Sequence, residues 1–398
     1  MSQADLTALA REHGSDLVRF TQRLVQTPSL PGQEGEVARL VEAERRRLGY
    51  HEVTTDRAGN VVGVVRGGSA PPLMFNGHMD HVDPGDAVGW EHPPYSGALV
   101  AGEMWGRATV DMKGALAAMI YAGGLVKQHA LSLPGDLIVA AVVLEEAGGV
   151  GTHELIGYCR PGLCVVGESS GGWLMRGHRG RVELVARVVG RSVHASVPEL
   201  GANPHYPLAR FLMQLESLPM ESDAVFGLAS VAPTLYRIDQ SSSNVTPGEA
   251  RLTLDWRTLP GQQAERIAAH LQQLLQRELP AGFEADVQMV QNHFTTYTGL
   301  TVDLPANFHS FSLPTDHWLV TGAHRALSES LGRTVPVGVW RFATDGGQVA
   351  ALGIPTIGFG PGDPKVVHTN RERIATTALT EGLVGYLALA TDIPRQAL

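Results

Sequence analysis

The chain has 398 residues, 43% hydrophobic and 18% charged, enough to bury a sizeable core and to divide into two domains. A formal net charge of −9 argues against a surface for nucleic acid or anionic lipid, which needs a local excess of Lys and Arg. Cys159 and Cys164 are the only cysteines, which removes a disulfide framework or a Cys-rich zinc module from consideration.

Residues 1–11 are polar with no hydrophobic signal core, and no apolar run is long enough to span a bilayer, so a reduced cytoplasm is the expected compartment. Residues 6–25 carry apolar side chains at helical spacing (Leu9, Leu17, Phe20, Leu24) and stop before Thr27-Pro28. Residues 33–48 predict a second amphipathic helix, rich in Arg and Glu, with Gly49 as its stop. Short apolar runs follow at 72–75, 137–144, 163–166 and 356–359. They lack strict alternation and are separated by helix-like stretches, the pattern of parallel strands buried on both faces. Residues 115–126, mostly Ala, Leu, Ile and Gly, predict a helix packed tightly on that sheet.

The middle of the chain differs. It predicts a half-exposed strand at 181–189, a helix at 204–218, strands at 234–238 and 250–259, a helix at 264–277 and a strand at 283–290. That βαββαβ order is the order of a small ferredoxin-like sandwich. The expected division is therefore a first part of an α/β domain in residues 1–176, an insert at about 177–292, and the rest of the α/β domain in 293–398. Residues 291–314 read as an irregular return, and 315–331 as a helix with Gly332 behind it. There is no internal repeat and no low-complexity tract.

Five places carry metal-binding side chains: His78 in His78-Met79-Asp80, Asp111 in Asp111-Met112-Lys113-Gly114, Glu145-Glu146 before Ala147-Gly148-Gly149, Glu168 after Gly167, and His368 before Thr369. His78, Glu145/Glu146, Glu168 and, a few residues on, His368 follow apolar runs. Ligands of open α/β sheets collect beyond the carboxyl ends of the strands, so these side chains converge on one edge. Any one alone reads as a surface charge or a satisfied core histidine. Five in this order point instead to metal-assisted hydrolysis with two borderline-hard divalent cations such as zinc. Spacing alone leaves open which of Glu145 and Glu146 binds metal and which acts as base.

With these motifs the chain resembles the M20 family of metallohydrolases, which includes acetylornithine deacetylase, succinyl-diaminopimelate desuccinylase, aminoacylases and glutamate carboxypeptidases. The resemblance runs from Pro28-Ser29, Gly32 and Glu34-Gly35 to Glu372, and the HxD, DMKG and EExGG elements are its specific part. It implies a mostly parallel, doubly wound α/β catalytic domain with an inserted ferredoxin-like lid and dimerisation domain. It also implies a co-catalytic pair of zinc ions, with cobalt or manganese as alternatives. His78 and Glu168 would hold one ion, Glu146 and His368 the other, with Asp111 bridging. The Asp80 carboxylate, two residues beyond His78, would accept the ring N–H and fix the metal-binding tautomer. Position in the motif makes Glu145 the base that takes a proton from water, whose pKa zinc lowers toward about 7, and passes it to the leaving amine.

The insert segment Gly190-Arg191-Ser192-Val193-His194-Ala195-Ser196 resembles the family's lid motif, whose histidine polarises the substrate carbonyl from the neighbouring subunit. By that resemblance His194 acts in at least a homodimer. Asn244 and Arg257 match positions that grip a substrate carboxylate, and a guanidinium can do so bidentately. Arg179 and Thr344 are further candidates of that kind. The competing readings are that Arg257 pairs with Asp255 or Glu249 and that Arg179 is solvated. Gly358-Phe359-Gly360-Pro361-Gly362 resembles the family's glycine-rich loop near the substrate.

Two departures from the family pattern are visible. Ala108 stands where glycine is common, and Thr369-Asn370-Arg371-Glu372 lacks the usual proline and places Arg371 near the pocket. Glutamate at the position of Glu168 is typical of the family's deacylases and carboxypeptidases; its aminopeptidases and dipeptidases usually carry aspartate. The expected function is a dinuclear metal-dependent amide hydrolase of the deacylase type, acting on an N-acyl amino acid or related amide with a free carboxylate. The alternatives are a di- or tripeptidase or carboxypeptidase, and a silent metal-binding homologue acting as a binding protein. Retention of Glu145 and all five ligands speaks against the last. Neither nucleic acid nor membrane is an expected partner. His81, His92, His205, His293, His309, His317 and His324 read as surface or packing residues, with His178 beside Arg179 a marginal exception. Trp90, Trp105, Trp173 and Trp340 read as core or pocket wall.

Overall fold

The computed structural model describes residues 3–277 and 279–393. Within them, the apolar runs build a sheet of nine strands. Its order runs Glu52–Thr55, Val61–Val65, Gly135–Val142, Ala70–His78, Leu163–Val166, Thr356–Gly358, Leu174–His178 and Phe311–Ser312, with Val337–Trp340 also beside Leu174–His178. Ala70–His78 runs parallel to both Gly135–Val142 and Leu163–Val166, and Thr356–Gly358 runs parallel to Leu163–Val166. Successive residues of these central strands serve different cores. Leu73, Phe75, Val139, Ala141 and Val165 join one apolar cluster, and Met74, Ala140, Val142, Cys164 and Val166 join another. Burial on both faces explains the near-continuous apolar runs.

Helices cover both faces. Gly114–Gln128 is buried along its whole length up to Val126 and packs against Thr376–Asp392, flanked by Gln3–Glu12, Gly14–Val25 and Trp318–Leu331. A helix apolar all round can only be stable when fully enclosed. The other face is covered by Val150–Ile156 and Gly346–Ala351. At Gly358 a Cβ would fall inside the ring of Trp340, so only glycine lets that strand approach.

The middle of the chain forms a second sheet, antiparallel throughout, in the order Ser230–Ile238, Glu249–Thr258, Gly180–Val189, Glu284–Met289. This is the ferredoxin-like arrangement. Gly180–Val189 alternates buried and half-buried positions, and Leu184, Leu252 and Leu254 meet Leu208, Phe211 and Leu271 of the helices His205–Glu216 and Ala264–Arg277 in a core of their own.

Three elements depart from expectation. The helix predicted over 6–25 is two helices, Gln3–Glu12 and Gly14–Val25, because His13 turns to φ −96°, ψ 4°. The segment predicted as irregular over 291–314 contains a hairpin, Gln291–Thr295 with Thr301–Pro305. Asn307–Phe308 then joins the second sheet and Phe311–Ser312 the first. The helix predicted from 315 starts at Trp318, where the His317 ring accepts the Leu319 N–H as a cap. No described helix is long and apolar enough to cross a membrane.

Candidate metal and active site

The five stations meet at the carboxyl edge of the first sheet. His78 closes the strand Ala70–His78, Glu168 follows Leu163–Val166, and Glu145–Gly148 is a short helix just beyond Gly135–Val142. Asp111 lies in a kinked turn with non-helical φ −124°, ψ 93°, and the Asp111-Met112 peptide is cis. His368 takes φ 60° in the loop after Pro364–Val366.

Asp111 is the centre of the arrangement. Its Oδ1 lies 3.0 Å from His78 Nε2, and its Oδ2 lies 3.0 Å from His368 Nε2. His78 Nε2 also reaches Glu168 Oε1 at 3.3 Å, and His368 Nε2 reaches Glu146 Oε1 at 3.0 Å. Two sets result, His78–Asp111–Glu168 and Asp111–Glu146–His368, each with donor atoms within 4.8 Å of one another.

The local backbone is held by buried carboxylates. Asp80 accepts the peptide N–H groups of Glu145 and Glu146, each at 3.1 Å. The nearest acceptor for His78 Nδ1 is the carbonyl of Asp80 at 3.0 Å, with the Asp80 carboxylate at 3.5 Å. Glu34 accepts from Gly32 N and from Leu144 N, each at 3.0 Å, and so secures Leu144, whose φ of 54° opens the turn into Glu145. Glu372 accepts from the peptide N–H groups of Val110 and Asp111 at 3.0 and 3.1 Å. Asp345 accepts from Thr152 Oγ1 at 2.5 Å and from Gln348 Nε2 at 3.2 Å, with Asn76 donating to the same threonine. Glu372, Asp345 and Glu34 had no role in the sequence reading. Glu34 and Glu372 stood at the two ends of the resembling stretch and Asp345 beside Thr344, and those places were their signals.

The electrostatics follow from packing so many carboxylates together. Burial, and then the charge of Asp345, hold Glu145 well above the usual carboxylate range. Burial and Asp111 raise Glu146 and push Glu168 to about 7. Burial opposes charge on His78, but Asp111, Asp80 and Glu168 outweigh it and keep the ring proton well above the ordinary range. Asp111 and Glu146 lift His368 to about 10. Burial works against an ionised Asp111, yet His368 and His78 hold it low. The two imidazoliums are thus the positive charge that this acidic cluster demands. Imidazole nitrogen and carboxylate oxygen are also the donor set of zinc-like divalent ions, so the residues fit two metal ions in place of those protons.

The remaining candidates are held by contacts of their own. His194 is bridged to Val245 and Ala195 N donates to Asn244 O, so His194 and Asn244 are neighbours. The exposed His194 ring accepts from Ser196 N at 3.1 Å. Among the described residues, no hydrogen bond or ion pair joins His194 or Asn244 to the carboxylates. Arg257 pairs with Asp255 at 2.7 Å, the competing reading, and stays partly exposed. Arg179 Nη2 donates to Arg257 O at 3.3 Å and Ser230 Oγ at 3.2 Å, while its buried Nε has no partner. Thr344 is buried, its Oγ1 accepting from Gly346 N. In the glycine-rich loop, Gly360 exchanges hydrogen bonds with Ser170 behind Glu168.

A family model described as Peptidase family M20/M25/M40 matches residues 74–392. The succinyl-diaminopimelate desuccinylase of Paracoccus denitrificans (strain Pd 1222) is 30% identical over 310 residues, 73% of this chain and 81% of that protein. The crystal structure of aminopeptidase PepT from Bacillus cereus ATCC 10987 has a TM-score of 0.76 at 20% identity, covering 96% of this chain and 98% of the other. The Bacillus subtilis YXEP protein, a dinuclear metal binding peptidase from the M20 family, has a TM-score of 0.70 at 16% identity, covering 96% and 98%.

Proposed function

This chain belongs to peptidase family M20/M25/M40 and is a metal-dependent amide hydrolase, and on that premise we propose that it is a zinc-dependent deacylase of N-acyl amino acids or related amides with a free carboxylate. The observation that carries the reading is the pair of histidine–carboxylate sets sharing Asp111, with Glu145 beside them. His78 and Glu168 would hold one ion, Glu146 and His368 the other, and Asp111 both. When bound, such ions polarise the amide carbonyl and lower the pKa of water toward about 7.

The chain's own residues supply the rest. Glu145, made proton-avid by burial and Asp345, takes a proton from the attacking water and delivers it to the leaving amine. Asp80 fixes the two glutamates through their peptide N–H groups and the His78 ring through its carbonyl. Of the two guanidiniums, Arg257 has an acidic partner in Asp255 while Arg179, among the described residues, bonds only to neutral oxygens, which supports a grip on an anionic group. The 30% identical relative is a desuccinylase, which supports release of an acyl group.

The second sheet with its separate core supports residues 177–292 as a lid unit. The edge strand Ser230–Ile238, with Leu235, Tyr236 and Ile238 exposed, supports pairing with a second copy, which would supply His194 in trans. The test is to quantify metal in the purified protein and to assay N-acetyl and N-succinyl amino acids against di- and tripeptides. Two ions per chain with release of the acyl group are expected. Cleavage confined to peptides with a free amino terminus would overturn the deacylase reading in favour of a peptidase.

A further inference from the structure

The chain leaves the first sheet at His178–Gly180 and returns to it at Phe308–Phe311, and these crossings lie against each other. Phe308 pairs with Arg181 and Phe311 with His178 in antiparallel register. A Cβ at Gly177 would collide with the carbonyl of Phe311, one at Gly180 with that of Phe308, and one at Gly347 with that of His309. Backbone touches backbone across the joint.

His178 sits inside this joint with no exposed surface. Its Nδ1 lies 2.9 Å from the carbonyl of Arg179, which can only accept, so Nδ1 carries the proton. Nε2 is then an acceptor and takes the N–H of Thr344 at 3.2 Å. Phe311 packs edge-on to the ring at 4.7 Å between centroids, and Trp340 lies at 6.4 Å. Burial pushes its pKa down to about 4, so the neutral ring persists near neutral pH.

We infer that His178 is a positioning residue for the substrate carboxylate, one neutral imidazole fixing Arg179 on one side of the joint and Thr344 on the other in a single arrangement. The inference rests on the reading that Arg179 and Thr344 lie at the carboxylate of an N-acyl amino acid. The link reaches further, because Arg179 donates to the carbonyl of Arg257, and Asp345, next to Thr344, is the charge that helps hold the Glu145 carboxyl up. The ring itself meets no substrate. It determines where the groups that do are held.

The test uses His178→Phe, which keeps an aromatic ring against Phe311 and Trp340 but loses both hydrogen bonds. KM for an N-acetyl amino acid should rise about tenfold or more, the scale of one lost buried hydrogen bond. KM for the corresponding N-acetyl amino acid amide, which has no carboxylate, should not move, nor should metal content. His178→Gln, which can return an acceptor near Nε2, should recover much of the loss. His178→Asn, which reaches Arg179 but not Thr344, keeps one side of the joint, should fall between wild type and the phenylalanine variant, and replaces the latter should it fail to fold. An unchanged KM for the acid, or equal rises for acid and amide, overturns the inference. If the wild type hydrolyses no N-acyl amino acid, the deacylase reading fails separately. The positioning role is then read by calorimetric binding of N-acetyl amino acid: weaker binding to the variant supports it, and equal binding or none to the wild type overturns it.

Discussion

Glu372 and Arg107 form an ion pair at 2.6 Å in which both side chains are buried. One carboxylate oxygen takes the guanidinium, and the other takes the N–H groups of Val110 and Asp111. Arg107 also donates to the carbonyl of Thr369 at 3.3 Å, so the pair ties the turn bearing Asp111 to the loop bearing His368. Glu372→Ala leaves a buried guanidinium uncompensated and should cost about 3–5 kcal/mol of stability. It should also weaken metal binding roughly 10–100-fold by releasing both donor loops. Unfolding calorimetry and zinc titration against a chelating dye measure the two effects. Unchanged zinc affinity would show that the pair is only structural.

Glu145→Gln preserves shape and leaves the peptide N–H groups on Asp80 intact, but removes the group that carries the proton. The variant should retain two metal ions and lose activity by at least about 10²–10⁴. Loss of one ion instead would mean that Glu145, and not Glu146, is the metal ligand.

Among the described residues of one chain, no hydrogen bond or ion pair joins His194 to the carboxylate cluster, and the proposed reading supplies it from a second copy. Mixing inactive His194→Ala and Glu145→Gln proteins should therefore restore partial activity, because one heterodimer site receives both functional residues. Steady-state assays of the mixture against each parent detect this. No recovery would exclude a contribution across subunits.

Burial of the neutral His178 ring makes the stability of the fold depend on pH. Between an unfolded value of 6.5 and a folded value of about 4, the unfolded chain binds a proton that the folded chain cannot. Wild-type stability should fall as pH drops through that window, by roughly 3 kcal/mol from this residue. His178→Phe lacks this loss. Its stability deficit relative to wild type should be smaller at pH 4 than at pH 7, as read from urea unfolding midpoints. A deficit independent of pH would contradict a buried neutral ring.

Much of the first sheet was legible because burial on two faces leaves unbroken runs such as Leu73-Met74-Phe75. The second sheet was legible because one solvated face imposes alternation on Gly180–Val189. The hairpin Gln291–Thr295 was not. Its outward positions are polar and only Phe294 is large and apolar, so its pattern is indistinguishable from a loop until its partner strand is known. The donor residues stood out because their types and spacing are chemically unusual. The buried carboxylates behind them did not, since what Glu34, Glu372 and Asp345 do depends on which N–H and O–H groups the fold brings to them. Asp80 shows the same limit. A two-residue spacing suggested its carboxylate for the His78 ring, whereas the carboxylate lies on the peptides of Glu145 and Glu146 and the carbonyl lies nearer the ring.

Thr356–Gly358 slots between Leu163–Val166 and Leu174–His178, strands synthesised long before it. Until Thr356 leaves the ribosome, a nascent polypeptide therefore carries two apolar strand rims with nothing between them, the kind of edge that recruits other chains. Premature termination between His178 and Thr356 would yield a sticky, gapped product, with His368 still missing.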